Sequence, residues 1–263
     1  YIIAEDLKPL FSKGICSTFG NSNFFGSFIS LVLPIAISFF ILRGNKKSFL
    51  LALVIFFNML SSGTRSAWVA FGVIALLGIF YLIKQKDKIY YKRFFLLLLC
   101  FILIFVFILV DPKSVMKDKF AQMKNDFNAS LHDGLDGNMG SGRIEIWEMT
   151  LKLIVQKPVF GCGTDNLQLG LSTNCTENFN QFVSRTLTIP DKAHNEYLHI
   201  AATIGLPSLV VYLIFISMIL WKRIRHMLSD NTSFVISLVL ISYLVQAFFN
   251  ISTIGVAPLF WMI

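Results

Sequence analysis

Charged residues are scarce in this chain: they make up 14% of its 263 residues, against about 25% in a typical soluble domain. The scarcity excludes a soluble globular protein of this size, because too few polar side chains remain to cover a core. Disorder is excluded as well, since 55% of the residues are hydrophobic and the mean hydropathy is +0.68. The composition therefore predicts a polytopic membrane protein.

Cysteine is also rare, with four residues, and no Cys/His spacing matches a zinc site. Asn195 follows His194, so the HExxH zinc motif is absent. An acidic run at 133–138 lacks the twelfth-position Glu of a calcium loop. We expect no metal and no cofactor. Cys162 and Cys175 share one polar stretch, and the sequence leaves open whether they form a disulfide.

Long apolar runs predict membrane-spanning helices, which need roughly 20 residues each. The runs lie at 24–42, 49–60 (a shorter one), 67–83, 94–110, 197–220 and 233–249, and a seventh would begin at Pro258. A long polar stretch interrupts them at 111–193. Because the chain starts at Tyr1 and stops inside an apolar run, we expect it to be a piece of a longer protein.

The predicted fold is an all-α polytopic membrane protein with six or seven transmembrane helices and one long extracytoplasmic loop. The N-terminal helices, after a short outer segment, occupy residues 1–110, the loop 111–195, and the C-terminal helices 196–263. Within the loop, Ser141 is a plausible N-cap and Pro158 a helix stop. The apolar positions between them recur at helical spacing and predict an amphipathic helix: Ile144, Trp147, Leu151, Ile154 and Val155.

The distribution of charge predicts which way the chain crosses the membrane. The net charge is +8, and three short loops hold 11 Lys and Arg against one Asp, whereas the long loop holds 9 Lys and Arg against 10 Asp and Glu. Cytoplasmic loops carry the excess of Lys and Arg, so the long loop and Arg65 are expected outside. The positive charge therefore reflects topology and does not indicate nucleic-acid binding.

Three polar residues stand where they could do chemistry. Arg65 lies at the outer membrane boundary, where it is either an interfacial anchor or a cation that receives an anionic headgroup. Arg143 opens the loop helix, where a guanidinium and free helix N–H groups together suit a phosphate, although ordinary surface charge is the simpler interpretation. His194 precedes the return to the membrane, and it is either a capping or interfacial residue or a proton acceptor near neutral pH.

These residues fall within short segments that occur in a fixed order along the chain. The segments are 20–23, 62–66, 141–143 with Trp147, 158–163, 194–198 and 205–207. This ordered set resembles the O-antigen ligase and polymerase family of bacterial envelope glycan assembly. The resemblance covers residues 20–213 and maps the family's arginines onto Arg65 and Arg143 and its loop histidine onto His194.

The resemblance implies a membrane glycosyltransferase of the bacterial cytoplasmic membrane that needs no metal. Its donor would be a glycan on undecaprenyl diphosphate at the outer leaflet, and its acceptor a hydroxyl of a glycan, lipid or protein. Arg65 and Arg143 would bind the diphosphate, and His194 would accept the proton of the attacking hydroxyl. The motifs do not separate a ligase from a polymerase.

Four further residues are secondary candidates. Glu196 or Asp191 would orient His194 or replace it as the base, and Tyr197 or Trp147 would stack on sugar, although both aromatic residues also suit interfacial anchoring. Two functions from other classes stay open. A transporter would need intramembrane ionisable residues, and an envelope scaffold would need none of Arg65, Arg143 and His194.

Overall fold

The computed structural model describes residues 14–110, 115–132 and 142–263. These residues form helices, turns and irregular segments, with no β-strand among them, which confirms the predicted all-α class. The acidic run at 133–138 and Ser141, the expected N-cap, lie outside them.

The described helices before residue 133 follow a 3-10 turn at Ser17–Phe19. They are α1 (Ser22–Arg43), α2 (Lys46–Ser61), α3 (Arg65–Gln85), α4 (Lys88–Val110) and α5 (Val115–His132). Those after residue 141 are α6 (Arg143–Gln156), α7 (Leu167–Asn174), α8 (Thr176–Thr186), α9 (Glu196–Thr203), α10 (Leu206–His226), α11 (Asn231–Phe248) and α12 (Ala257–Trp261).

Four of the described helices are long and apolar enough to cross a membrane: α1, α3, α4 and α10. The helix α2 has 16 residues, the apolar stretch of α11 (Asn231–Ala247) is also shorter, and α12 has five residues. The chain is therefore a multi-helix membrane protein. The count of six or seven crossings stays a prediction.

The described chain divides into two compact units. The first comprises residues up to Ala121, Leu220–Gln246 and Thr253–Ile263. Its core joins α1, α2 and α4, and the rings of Phe56 and Phe101 stack with centroids 3.9 Å apart. On α3, Tyr81 donates a hydrogen bond of 2.7 Å to Asn231 Oδ1.

The second unit comprises Gln122–Ile219 and Ala247–Ser252. It has a core of its own, in which α6, α7, α8 and α9 bury apolar side chains against one another. Met149, Leu153, Leu167 and Leu171 are among its fully enclosed residues. This core gives the second unit a packed base for the polar residues at the starts of α6 and α9.

The predicted fifth helix, 197–220, is wrong as a single element. The structure divides it into α9 and α10, and the break lies at Gly205, whose φ is +107°. A Cβ at Gly205 would lie 2.0 Å from the carbonyl oxygen of Val159, so the backbone of another segment passes directly against this position. Hydropathy shows no gap here because the neighbouring residues are apolar.

The predicted loop helix is confirmed, but its apolar face is partly wrong. The structure buries the positions Ile146, Met149, Thr150, Leu153 and Ile154, which follow the spacing of one helical face. Leu151 and Val155, which the sequence assigned to that face, are 50% and 79% exposed. Several phases of this helix are apolar, so its sequence alone could not select the one that meets α7, α8 and α9.

Candidate active site

Arg65 is the first residue of α3 in the first unit, and the turn before it is held by hydroxyl groups. Thr64 is the N-cap, and its Oγ1 donates a hydrogen bond of 2.8 Å to the carbonyl oxygen of Ser22. Ser62 Oγ donates to Met59 O at 2.8 Å. Gly63 supplies the left-handed backbone of the turn, with φ +66°. The start of α3 is therefore fixed against the start of α1.

Trp68 adds a second brace to the same turn. Its indole Nε1–H donates a hydrogen bond of 3.2 Å to Met59 O, at the end of α2. Thr64 is also packed tightly, because a Cβ at Gly26 would lie 2.5 Å from its Cγ2. Arg65 itself is partly buried. The backbone that carries this guanidinium is thus supported from α1, α2 and α3.

Arg143 is the first residue of α6 in the second unit. The preceding Gly142 is left-handed, with φ +78°, and is buried. A Cβ there would lie 3.0 Å from Phe182 Cε2, so the chain enters the helix in close contact with α8. Arg143 therefore stands at a helix N-terminus, where N–H groups and the dipole favour anions.

His194 adopts a left-handed backbone, with φ +50°. Residues other than glycine adopt this conformation uncommonly, at a cost of about 1–2 kcal/mol. The next residue, Asn195, is 2% exposed and caps α9, because its Oδ1 accepts a hydrogen bond of 3.0 Å from Leu198 N–H. The histidine is thus turned sharply at the point where a helix begins, and such strain is typical of functional positions.

Burial and charge keep the His194 imidazole neutral. Desolvation is the largest cause that lowers its pKa below 6.5, the positive charge of Arg143 lowers it further, and Asp191 acts in the opposite direction. The ring Nδ1 is buried and makes no hydrogen bond to any residue in the described part of the chain. A neutral imidazole can accept a proton near pH 7.

The indole of Trp147 contacts the backbone next to His194. Trp147 Nε1–H donates a hydrogen bond of 2.9 Å to the carbonyl oxygen of Ala193, which is fully buried. The ring also packs edge-on against Phe248, with centroids 5.7 Å apart. This polar contact was not predicted, since no local pattern relates residue 147 to residue 193.

Glu196 and Tyr197 form a polar pair at the start of α9. Glu196 is 8% exposed, and its Oε1 accepts a hydrogen bond of 3.0 Å from the hydroxyl of Tyr212 on α10. Burial, together with the charge of Glu196, raises the pKa of Tyr197 to about 12. The ring of Tyr197 packs near Tyr212 and Phe248. Tyr212 and Phe248 were not among the predicted site residues.

A surface ion pair ties down the segment that leads into His194. Lys192 pairs with Asp165, which follows the glycine turn at 161–163 and is itself left-handed, with φ +59°. This pairing holds the pKa of Asp165 below its usual range. Asp191 is exposed, and it is the acid whose charge raises the pKa of His194. Of the two predicted acids, Asp191 is therefore the one that acts on the imidazole electrostatically.

The turn at 158–163 clamps the end of α9. Cys162 N–H donates to Ala202 O at 2.8 Å, Gly163 N–H to Thr203 O at 2.9 Å, and Leu206 N–H to Pro158 O at 2.8 Å. A Cβ at Gly161 would lie 2.5 Å from the Thr203 carbonyl carbon. These backbone contacts fix the helix that His194 precedes.

A family model for O-antigen ligases matches residues 49–213, which is more than half of the chain. The matched range contains Arg65, Arg143 and His194. The chain belongs to the O-antigen ligase family. No curated protein matches it.

Family membership establishes the general activity. Members of the O-antigen ligase family transfer glycans, so this chain is a glycan-transferring enzyme of the ligase or polymerase type. The family and the apolar helices indicate a bacterial membrane protein. The family also implies a lipid-linked glycan as donor and a glycan as acceptor.

The segments that carry the family resemblance meet in space within each unit. In the first unit, Thr64 of the arginine turn bonds to Ser22 at the start of α1. In the second, the 158–163 turn bonds to residues 202–206. In this O-antigen ligase family member, glycines and hydroxyl residues of these segments therefore serve to fix turns, which is a structural role that their spacing in the sequence did not reveal.

His199 is a further titratable residue of the second unit that the sequence did not indicate. Burial, followed by the charge of Lys192, lowers its pKa to about 4, and its Nδ1 is buried without a hydrogen bond to a described residue. His199 is therefore neutral at physiological pH.

Both loop cysteines are free thiols: Cys162 Sγ lies 3.5 Å from Asn166 O, and Cys175 Sγ lies 3.6 Å from Met149 O. Among the described residues, no three His, Cys, Asp or Glu side chains are grouped to hold a metal.

Proposed function

We propose that this enzyme transfers a glycan from undecaprenyl diphosphate to a hydroxyl acceptor, without a metal, at the outer face of the cytoplasmic membrane. His194 is the general base, and Arg65 and Arg143 bind the diphosphate. The observation that carries the proposal is the pairing of a neutral imidazole with a nearby cation in the second unit, inside the range that matches the family.

The transfer step forms one C–O bond, breaks another and moves one proton. The acceptor oxygen attacks the anomeric carbon of the donor sugar, its proton passes to the imidazole of His194, and the bond from that carbon to the diphosphate oxygen breaks with both electrons on oxygen. Because Nδ1 is enclosed, Nε2 is the nitrogen that meets the hydroxyl. General-base assistance of this kind contributes about 10²–10⁴-fold.

Arg143 serves both the base and the leaving group. Its charge lowers the pKa of His194 in the absence of donor, and it would bond to the developing negative charge of the diphosphate. A bound diphosphate offsets the arginine charge and thereby raises the basicity of the imidazole when the donor is in place. Hydrogen bonds to a charged group are worth about 1.5–3 kcal/mol each, so two arginines can replace a metal.

Arg65 is the second cation of the proposed site. Its turn is supported by three helices of the first unit, which suits a residue that must hold an anion at a fixed place. The proposal requires that Arg65 and the loop at 111–195, which contains His194, lie on the outer side of the membrane. The charge of the short loops supports this orientation, because basic loops favour the cytoplasmic side.

The experiment measures lipid-linked glycans in cells whose only copy of the protein carries His194→Ala, with the membrane abundance of the variant checked. We expect undecaprenyl-diphosphate glycan to accumulate. Single repeat units would indicate a polymerase, whereas long chains would indicate a ligase. His226→Ala, which alters an exposed histidine at the end of α10, is the matched control and should leave the pool at the wild-type level.

Two other functions predict a different result. A scaffold needs none of the three residues, so its variants would leave both the lipid-linked pool and the surface glycan unchanged. A transporter variant would accumulate its donor on the cytoplasmic side, where an added impermeant glycosidase cannot reach it in intact cells. Either result would overturn the assignment of His194 as the base.

A further inference from the structure

The backbone of His194 is held in a conformation that a histidine rarely adopts, and the hydrogen bonds around it show what holds it. The peptide group before His194 contains the Ala193 carbonyl, which accepts the Trp147 indole N–H at 2.9 Å. On the other side, Asn195 is fixed as the cap of α9 by its bond from Leu198 N–H. The peptide group before His194 is therefore anchored, and the side chain of the residue after it is fixed at the start of α9, so the left-handed φ of +50° lies between two restrained positions.

Trp147 also relates His194 to Arg143. Arg143 and Trp147 lie four positions apart on α6, so they stand one turn from each other on the same face of the helix. One rigid element thus carries the cation and holds the peptide group of the base. A shift of Trp147 would change both the direction of the imidazole and its distance from the guanidinium.

We propose that Trp147 is a positioning residue, which holds the backbone of His194 and sets its spacing from Arg143. The inference rests on the proposed function in its choice of His194 as the base. The sequence suggested sugar stacking or interfacial anchoring for this side chain; the positioning role is a different one, and it is supported by the indole N–H, which donates to Ala193 O, and by the ring, which packs against Phe248.

The test removes the indole N–H and reads the environment of His194 without relying on catalysis. Diethyl pyrocarbonate acylates neutral imidazole, so its rate of reaction at His194 from pH 5 to 8, followed by peptide mass spectrometry, reports both access and pKa. Trp147→Phe keeps an aromatic ring and loses the donor. Trp221→Phe alters an exposed tryptophan and is the control.

We expect Trp147→Phe to raise the rate of acylation at His194 by about fivefold, the effect of losing one buried hydrogen bond. The midpoint of the pH dependence should rise toward that of an exposed histidine, because burial lowers the pKa of His194 in the intact protein. His199 is the internal reference and should keep its rate. An equal increase at both histidines would mean general loosening of the second unit and would overturn the proposal.

A second variant distinguishes the effect of the Trp147 N–H hydrogen bond from the effect of packing by its ring. Benzothienylalanine at residue 147 keeps the size of indole and replaces its N–H by sulfur, so it should reproduce the changed reactivity of His194 in a fully folded protein. Unchanged reactivity of His194 in this variant would contradict the positioning role.

Kinetics supply the remaining distinction, with lipid-linked glycan extracted from a deletion strain as donor. A positioning role predicts that kcat falls about tenfold while KM for the donor stays within a factor of about two. A raised KM at unchanged kcat would show that the ring stacks on sugar. The His194→Ala variant is measured alongside: if it still transfers glycan, the proposed function fails, whereas the acylation result for Trp147 still stands.

Discussion

The turns that carry Arg65 and His194 each lead directly into a helix, but they place the left-handed residue differently. In the arginine turn that residue is Gly63, two positions before the functional side chain. In the histidine turn it is His194 itself. Glycine adopts this backbone without a steric penalty, whereas histidine does so at a cost of about 1–2 kcal/mol.

The hydrogen bonds around the two functional side chains differ as well. Around Arg65, hydroxyls and an indole fix the backbone of the turn. Around His194, the ring Nδ1 is buried without a hydrogen bond to a described residue, which adds a cost of about 1–3 kcal/mol. The imidazole is on a short side chain, so its direction depends on the backbone of His194. The guanidinium of Arg65 is on a long, flexible side chain and depends less on its backbone. We therefore expect backbone strain at the histidine and not at the arginine.

The largest effect should come from removing the strained base. His194→Asn keeps a residue that tolerates the left-handed backbone, and we expect the transfer rate to fall about 10²–10⁴-fold. The free energy of unfolding should rise by about 1 kcal/mol, because asparagine relieves the strain. Chemical denaturation in detergent measures the second quantity. If His194→Asn destabilises the protein more than the exposed control His226→Asn does, the left-handed backbone of His194 carries no energetic cost, and the proposed difference between the two turns is wrong.

A smaller effect concerns the pH dependence of the rate. The wild-type rate should fall only below the lowered pKa of His194, since the neutral imidazole is the active form. Arg143→Gln removes a positive charge that lowers this pKa, so the acid limb of kcat/KM should move to higher pH. Arg185→Gln is the control, because Arg185 pairs with Glu145 and is not among the groups that shift the pKa of His194. An acid limb that stays in place in Arg143→Gln would contradict the electrostatic pairing.

The smallest effect tests the glycine of the arginine turn. Gly63→Ala places a Cβ on a left-handed residue and 2.9 Å from Val115 Cγ1, so it should lower the free energy of unfolding by about 1–2 kcal/mol. Gly72→Ala is the matched control, because that glycine lies inside α3 with open space around it, and should stabilise by about 0.5–1 kcal/mol. Equal responses of the two variants would show that Gly63 is not needed for its backbone conformation.

Local features of the sequence predicted what depends on local structure. The sequence predicted the loop helix between Ser141, as its N-cap, and Pro158; the structure has the helix at Arg143–Gln156 with Gly142 as its N-cap, so the proline marked the end correctly and the start was one residue early. The long apolar helices α1, α3 and α4 followed from hydropathy, as did the apolar character of α10, but its separation from α9 did not. Arg143 and His194 were both placed at helix starts, and the structure adds that the charge of one acts on the other.

The features that the sequence could not predict depend on contacts between distant residues. The break at Gly205 exists because the Val159 carbonyl passes beside it, and an apolar run contains no trace of that contact. The buried face of α6 is chosen by its neighbours, which is why Leu151 and Val155 were assigned wrongly. The bond from Trp147 to Ala193 spans 46 positions in the chain.

The proposed function assigns Arg65 and Arg143 to the same diphosphate, and a double-mutant cycle tests this assignment most directly. Arg65→Lys and Arg143→Lys, alone and together, are compared by kcat/KM with extracted lipid-linked glycan as donor, and Arg185→Lys serves as control. We predict a loss of about 10–100-fold for each single variant and a double variant less impaired than the product of the two, because residues that bind one group are not additive. Fully additive losses would contradict the claim, since they would mean that Arg65 and Arg143 act independently.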